Sequence, residues 1–164
     1  MMGITHTTNT TALLSIPLLF GYQLNTSYIV LGGLVLIGSL VPDIDEPDSY
    51  MGKRFVFLSY PLNILFGHRT ITHNMTFIFI LAIISYYYNN IYCLAVTVGM
   101  FIHILQDSLT YQGIKGCLFP FKSYNYNFVL LPRIFRFAVG SGTELLILAF
   151  SLMFILYVVY KSMF

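Results

Sequence analysis

The chain has 164 residues, 57% of them hydrophobic and only 9% charged, with a formal net charge of +2. Soluble domains carry about 25% charged residues, so this composition cannot coat a water-soluble globule and points to a bilayer as the solvent. The small net charge, with no Lys/Arg-rich run and no RNA-binding signature, sets nucleic acid aside as a partner. The length suits one domain over residues 1–164.

Residues 11–24 are apolar and contain Pro17; residues 28–41 are apolar, rich in Gly and β-branched residues, and end at Pro42. Each is short for a crossing of about 20 residues, so the pair predicts a tilted or partly re-entrant hairpin that turns at 23–27. Residues 55–66, interrupted by Pro61, predict an interfacial or half-buried helix. A stronger span covers 71–88 and closes at Asn89 and Asn90; residues 91–109 run back. The connection 111–142 interleaves aromatic and basic residues, and its part 119–137 reads as an interfacial anchor or as a rim to a site. Residues 145–160 form the most uniformly apolar run. Tyr86, Tyr87, Tyr88, Tyr157 and Tyr160 stand at span ends, where aromatics anchor to the interface.

The expected fold is all-α: a polytopic helical membrane protein of about four to five transmembrane helices plus a short interfacial or re-entrant helix. Cys93 and Cys117 make no C-x-x-C pair and read as free thiols. The N-terminus lacks a basic stretch and a small-residue cleavage site, so no cleaved signal peptide is expected. Lys53, Arg54 and Arg69 fall in one loop region and Lys115, Lys122, Arg133 and Arg136 in another. If 55–66 does not cross, both regions share one side, which the positive-inside rule makes cytoplasmic.

The acids are Asp43, Asp45, Glu46, Asp48, Asp107 and Glu144; the histidines are His6, His68, His73 and His103. On this topology every one falls at the proposed cytoplasmic face. His103 and Asp107 have i,i+4 spacing, which stacks an imidazole and a carboxylate on one helix face. Such a pair offers a lone pair and a charge to one cation; an Asp–His hydrogen bond is the plainer alternative. The acidic turn 42–48 lies between Pro42 and Pro47, and an extended chain there would point Asp43 and Asp45 the same way. The stretch 67–73 is the densest cluster. Its two histidines lie five apart and do not share a helix face, so a turn at Gly67 is expected to present His68 separately. Thr70 or Thr72 is expected to cap the following helix. The planar fork of Arg69 suits a phosphate or carboxylate. His6 and Glu144 join the set through their common side, although an acid in a helix's first turn is also favoured by the dipole.

At these residues the chain resembles the YdjM-type membrane-bound proteins, a group assigned as metal-dependent hydrolases. The matching blocks are His6, Leu40-Val41-Pro42-Asp43-Ile44-Asp45 with Ser49, and His68-Arg69-Thr70-Ile71-Thr72-His73. Further along come His103-x-x-x-Asp107-Ser108-Leu109-Thr110, Gly113, Pro120 and Glu144. Thr70 stands where a Gly is common, and Asn74 where a Ser commonly follows the second His. The resemblance implies a helical membrane protein with a metal centre, and a more distant similarity to zinc-dependent phospholipase C, which shares a His-x-x-x-Asp pair.

The expected ligands are His6, Asp43, His68, His73, His103, Asp107 and Glu144, with Asp45 as a ligand or general base and Arg69 holding an anionic group. A His/Asp/Glu set without Cys suits Zn²⁺, with Mn²⁺ and Fe²⁺ as alternatives. A site at headgroup depth in a prokaryotic cytoplasmic (inner) membrane favours membrane lipids as neighbours and a lipid or other phosphoester as substrate; no protein partner is indicated. The alternative is a non-catalytic, metal-stabilised scaffold or regulatory partner-binding module. An ion pathway ranks last, because the polar residues gather at one face instead of lining the bilayer.

Overall fold

The apolar runs become six helices in the computed structural model, which describes residues 1–69, 71–123 and 125–163. They are α1 (Gly3–Leu19), α2 (Thr26–Gly38), α3 (Val56–Phe66), α4 (Met75–Tyr87), α5 (Ile91–Asp107) and α6 (Gly142–Met163). Three start signals are asparagines. Asn25, Asn74 and Asn90 each accept a hydrogen bond from the backbone N–H three residues on, satisfying one orphan donor at the starts of α2, α4 and α5. The cap of α4 is therefore Asn74 and not Thr72, while Thr70 lies outside the described residues. α1 begins well before the apolar run at 11–24. Thr7 and Thr11 donate their hydroxyls to carbonyls one turn back, on Gly3, Ile4 and Thr7, so the threonine-rich stretch is satisfied within a helix.

The helix ends set the architecture. α1 and α6 run side by side in parallel: Met2 meets Glu144, Asn9 meets Ser151, and Lys161 meets Leu19. α2 packs on α5 through two glycines. A β-carbon on Gly38 would lie 2.1 Å from the Val96 carbonyl oxygen, and one on Gly99 would lie 2.1 Å from that of Val35. Bilayer helices reach such close approach through small residues. One consequence is the bond from His103 on α5 to the Ser39 carbonyl just past α2.

The connection after α5 is not purely irregular. β1 (Ile114–Lys115) pairs antiparallel with β2 (Asn127–Phe128), a small departure from the all-α expectation. Ile114 and Cys117 explain it: both are fully buried against Met75, Ile78, Met100 and Ile104, and this pulls the loop over the ends of α4 and α5. Main-chain bonds hold it there, from Met75 N–H to the Cys117 carbonyl (2.8 Å) and from Leu130 N–H to the Ser108 carbonyl (2.9 Å).

The interior is largely polar and the exterior apolar. Thr5, His6, Thr10, Ser39, His73, His103, Asp107 and Glu144 are buried, whereas Leu146, Phe150, Met153 and Leu156 on α6 face outward. That inversion is what a hydrocarbon solvent selects. Two segments are long and apolar enough to cross: Thr26–Asp45, with mean hydropathy 1.8, and Gly142–Ser162, with 2.2. α3, α4 and α5 are shorter apolar helices, so the sequence count of four to five crossings exceeds what length and apolarity alone establish.

Gly99→Ala is expected to cost on the order of 1–3 kcal/mol by forcing α2 from α5. Gly33→Ala, where a β-carbon meets nothing within 4 Å, is expected to be neutral or mildly stabilising. Thermal unfolding of both variants in detergent checks this.

Candidate metal centre

Five helix termini deliver side chains to one end of the bundle. His6 lies in the second turn of α1. Asp43 follows α2, His73 precedes α4, His103 and Asp107 end α5, and Glu144 opens α6. Pro42 is the second residue of a five-residue 3-10 helix, Val41–Asp45, and the expected extended chain is not formed. With about three residues per turn, Asp43 and Asp45 point in different directions. Asp43 faces His103, while Asp45 faces the 68–73 loop.

The inner cluster is His6, Asp43, His73, His103 and Asp107. His73 Nε2 lies 3.2 Å from His103 Nε2 and 3.6 Å from Asp107 Oδ2, and His103 Nε2 lies 3.9 Å from that oxygen. On the other side His103 Nε2 is 3.5 Å from Asp43 Oδ1, and His6 Nε2 is 3.2 Å from Asp107 Oδ1. Ligands about 2.1 Å from a tetrahedral zinc-type ion stand about 3.4 Å from each other. Two triads, His6/Asp43/His103 and His73/His103/Asp107, have donor atoms close enough to hold an ion each, and they share His103.

The imidazoles are held in one orientation. A carbonyl oxygen only accepts, so His103 Nδ1–H donates to Ser39 O (2.6 Å). His6 Nδ1–H donates to Gln106 Oε1 (2.8 Å), and the Gln106 amide nitrogen donates to Thr10 Oγ1 (3.3 Å). The Thr72 hydroxyl donates to Asp45, so His73 Nδ1–H donates to Thr72 Oγ1 (3.0 Å). All three rings thus present Nε2 to the cluster. The His6 and His103 rings stack at 3.8 Å between centroids. Metal-ligating histidines are oriented in this way by bonds at the far nitrogen. His6 Nε2 and Asp107 Oδ2 are buried with no hydrogen-bond partner, and such atoms are costly to leave unmet. By donor type, separation and orphaned atoms, these residues fit a divalent cation. Burial alone would lower the His73 pKa, but the Asp107 and Asp45 carboxylates outweigh it and push it up to about 9, so a cation bound there would displace a proton.

His68, Asp45 and Arg69 form a second layer. Asp45 accepts from His68 Nδ1 (2.7 Å), from the Arg69 backbone N–H (3.0 Å) and from the Thr72 hydroxyl. Gly67, with φ +75°, ends α3 and turns His68 away from any helix, as the spacing to His73 predicts. Arg69 holds φ +61°, a conformation costing of order 1–3 kcal/mol in a non-glycine residue. Its guanidinium lies 2.9 Å from Asp107 Oδ2, as an ion pair out of hydrogen-bond alignment. Glu144 stands apart from both triads; its two oxygens accept from the backbone N–H groups of Met2 (2.6 Å) and Gly140 (2.7 Å). The α-amino group of Met1 donates to Asp107 Oδ1. A cavity of about 480 Å³ opens beside the cluster, with Asp43, Glu46, His68 and Arg69 in its wall.

Sequence reasoning passed over Gln106 and Ser39 and read Thr72 as a helix cap; all three orient the imidazoles. Gln106 carried the one available signal, an amide in the last turn of an apolar helix. Gln106→Leu is expected to leave the buried His6 Nδ1–H unpaired, at a cost of about 1–3 kcal/mol. It should also let His6 sample both tautomers, observable in ¹H–¹⁵N spectra of the histidine side chains.

A family model described as YdjM inner membrane protein matches residues 1–164. The chain is 37% identical over 116 residues to the uncharacterized protein YvsG of Bacillus subtilis (strain 168), covering 69% of this chain and 68% of that one. It is 34% identical over 93 residues to the inner membrane protein YdjM of Escherichia coli (strain K12), covering 48% of this chain and 44% of that protein. The same figures hold for YdjM of Shigella flexneri. No solved structure matches. With its whole length matched and its apolar surface turned outward, the chain is a membrane protein and belongs to the YdjM inner membrane protein family.

Proposed function

We propose that the protein is a membrane-embedded, metal-dependent hydrolase of phosphoesters, with its site at the cytoplasmic face. In this reading α1, α2, α4, α5 and α6 cross the bilayer and α3 lies at the interface. Each crossing helix then begins or ends at the site, and the basic residues of 53–69 and 115–136 share that side. The observation that carries the proposal is the convergence of three Nε2 atoms, each pinned from behind, on two buried carboxylates.

His6, Asp43, His73, His103 and Asp107 would hold the metal, zinc by donor type and manganese or iron as alternatives. A bound divalent cation supplies acidification of water and charge stabilisation on a phosphoryl oxygen. The chain's own groups do the rest. Asp45, with three donors on its carboxylate, serves as an orienting base behind His68. It holds Nδ1–H, which leaves Nε2 to take and return a proton in the cavity that His68 lines. Arg69 sits in the same wall and binds the substrate's anionic oxygens. Glu144 positions the start of α1, and so His6, through the Met2 N–H.

One observation favours a second reading, a non-catalytic metal-stabilised scaffold: His6, His73, His103 and Asp107 have no exposed surface. A closed centre of that kind binds metal without turnover.

The test is elemental analysis and phosphoester hydrolysis by purified protein loaded separately with Zn²⁺, Mn²⁺ or Fe²⁺. Metal retained by the parent and lost from His103→Gln and Asp107→Asn, together with turnover above the Asp107→Asn control, is the expected result. Retained metal without turnover for any ion selects the scaffold. A parent that holds no metal, while circular dichroism shows intact helix, overturns both.

A further inference from the structure

The cavity beside the metal cluster does not end at its polar wall. Gly3, Ile4 and Tyr50 also line a second space of about 400 Å³, completed by Thr7 and Leu40. Both volumes fall in the range of about 300–1,000 Å³ found for small-molecule sites. The two differ in chemistry. The first carries Arg69 and His68 beside the carboxylates of Asp43, Glu46 and Asp48, so an anion there depends on the proposed metal and on Arg69, which would turn to it from Asp107. The second is apolar apart from the Thr7 and Tyr50 hydroxyls, and Thr7 Oγ1 is already turned back on the carbonyls of its own helix.

Position matters as much as polarity. The apolar groove lies along the first turns of α1 and against Leu40, beyond the end of α2. It therefore begins where the cluster lies and runs along the first turns of α1, a helix that crosses the bilayer in the proposed topology. Ile4, exposed at 61%, stands on the outer side of the groove. Tyr50 stands at the junction of the two spaces, with the Arg54 guanidinium 4.3 Å over its ring.

We infer that the two spaces form one composite seat for a membrane phospholipid, with the phosphate in the polar cavity beside Arg69 and an acyl chain along Gly3, Ile4, Thr7 and Leu40. The inference rests on the hydrolase reading and narrows its substrate to a lipid that enters from the leaflet. A water-soluble phosphoester would leave the groove unfilled and gain nothing from it. A diacyl chain without phosphate would gain nothing from Arg69.

The chain has no tryptophan, so Tyr50→Trp supplies a single fluorophore at the junction and keeps an aromatic ring beneath Arg54. The labelled protein, metal-loaded in maltoside micelles, is titrated with phosphatidylglycerol or with diacylglycerol, both carrying dibrominated acyl chains. Saturable quenching by phosphatidylglycerol at a one-to-one ratio, against quenching by diacylglycerol that merely follows its mole fraction, is the expected result. Adding Thr7→Phe should fill the groove and abolish the saturable component, with helix content and metal content as controls on folding. Adding Arg69→Gln should weaken the component at least tenfold.

Quenching that follows mole fraction for both lipids means annular contact alone and overturns the inference. So does saturable quenching that survives Thr7→Phe. Hydrolysis of phosphatidylglycerol and of a water-soluble phosphoester, both measured on the same preparations, separates the two claims. Turnover without saturable quenching sinks the lipid seat and spares the hydrolase. Saturable quenching without turnover sinks the hydrolase and keeps the seat.

Discussion

A carboxylate withdrawn from both water and lipid must be neutralised by what surrounds it, and Asp107 imposes that requirement on this fold. It sits at the last residue of α5 with no exposed surface. The α-amino group of Met1 and the Arg69 guanidinium pair with it. Those groups come from the start of α1 and from the loop before α4, so satisfying one charge brings three distant parts of the chain to a common depth. Glu144 extends the same logic to α6 by accepting the Met2 N–H.

Polar groups inside and apolar groups outside are two faces of one constraint. In hydrocarbon, apolar burial contributes little between helices, and association depends on close packing and on hydrogen bonds. The Gly38–Gly99 contact supplies the first and the Ser39–His103 bond the second, one next to the other along the α2–α5 seam. The seam that holds the helices together is thus also the one that fixes the orientation of His103. Packing and site are not separable there, and a change at Gly99 is felt one turn later at the imidazole.

The enclosed cluster and the open cavity differ in how their side chains are held. Nε2 atoms held from behind by Gln106, Ser39 and Thr72 cannot reorient toward other partners, which lowers the cost of gathering like donors at one point. His68 and Arg69, by contrast, belong to a loop whose main chain leaves the helical region at Gly67 and again at Arg69. They line the cavity while still bonded to Asp45 and Asp107.

The helical segments and the class of solvent were legible in the sequence, because apolar runs and a shortage of charge act locally and report themselves. So were the ligand-type residues, since buried ionisable groups are scarce in such a chain and the i,i+4 spacing of His103 and Asp107 is set by helix geometry alone. The threonine-rich start of α1 and the asparagine caps were less legible, because a hydroxyl or amide that bonds its own backbone looks polar in a list of residues. Tertiary structure alone decided that Asp43 and Asp45 diverge: Pro42 tightens the turn into a 3-10 helix, a choice between local conformations that packing resolves. It alone decided which histidines converge, which nitrogen each presents, and that Glu144 binds backbone N–H groups beside the cluster. Those outcomes depend on partners about a hundred residues away, such as Gln106 for His6, and no local pattern encodes a bond across that distance.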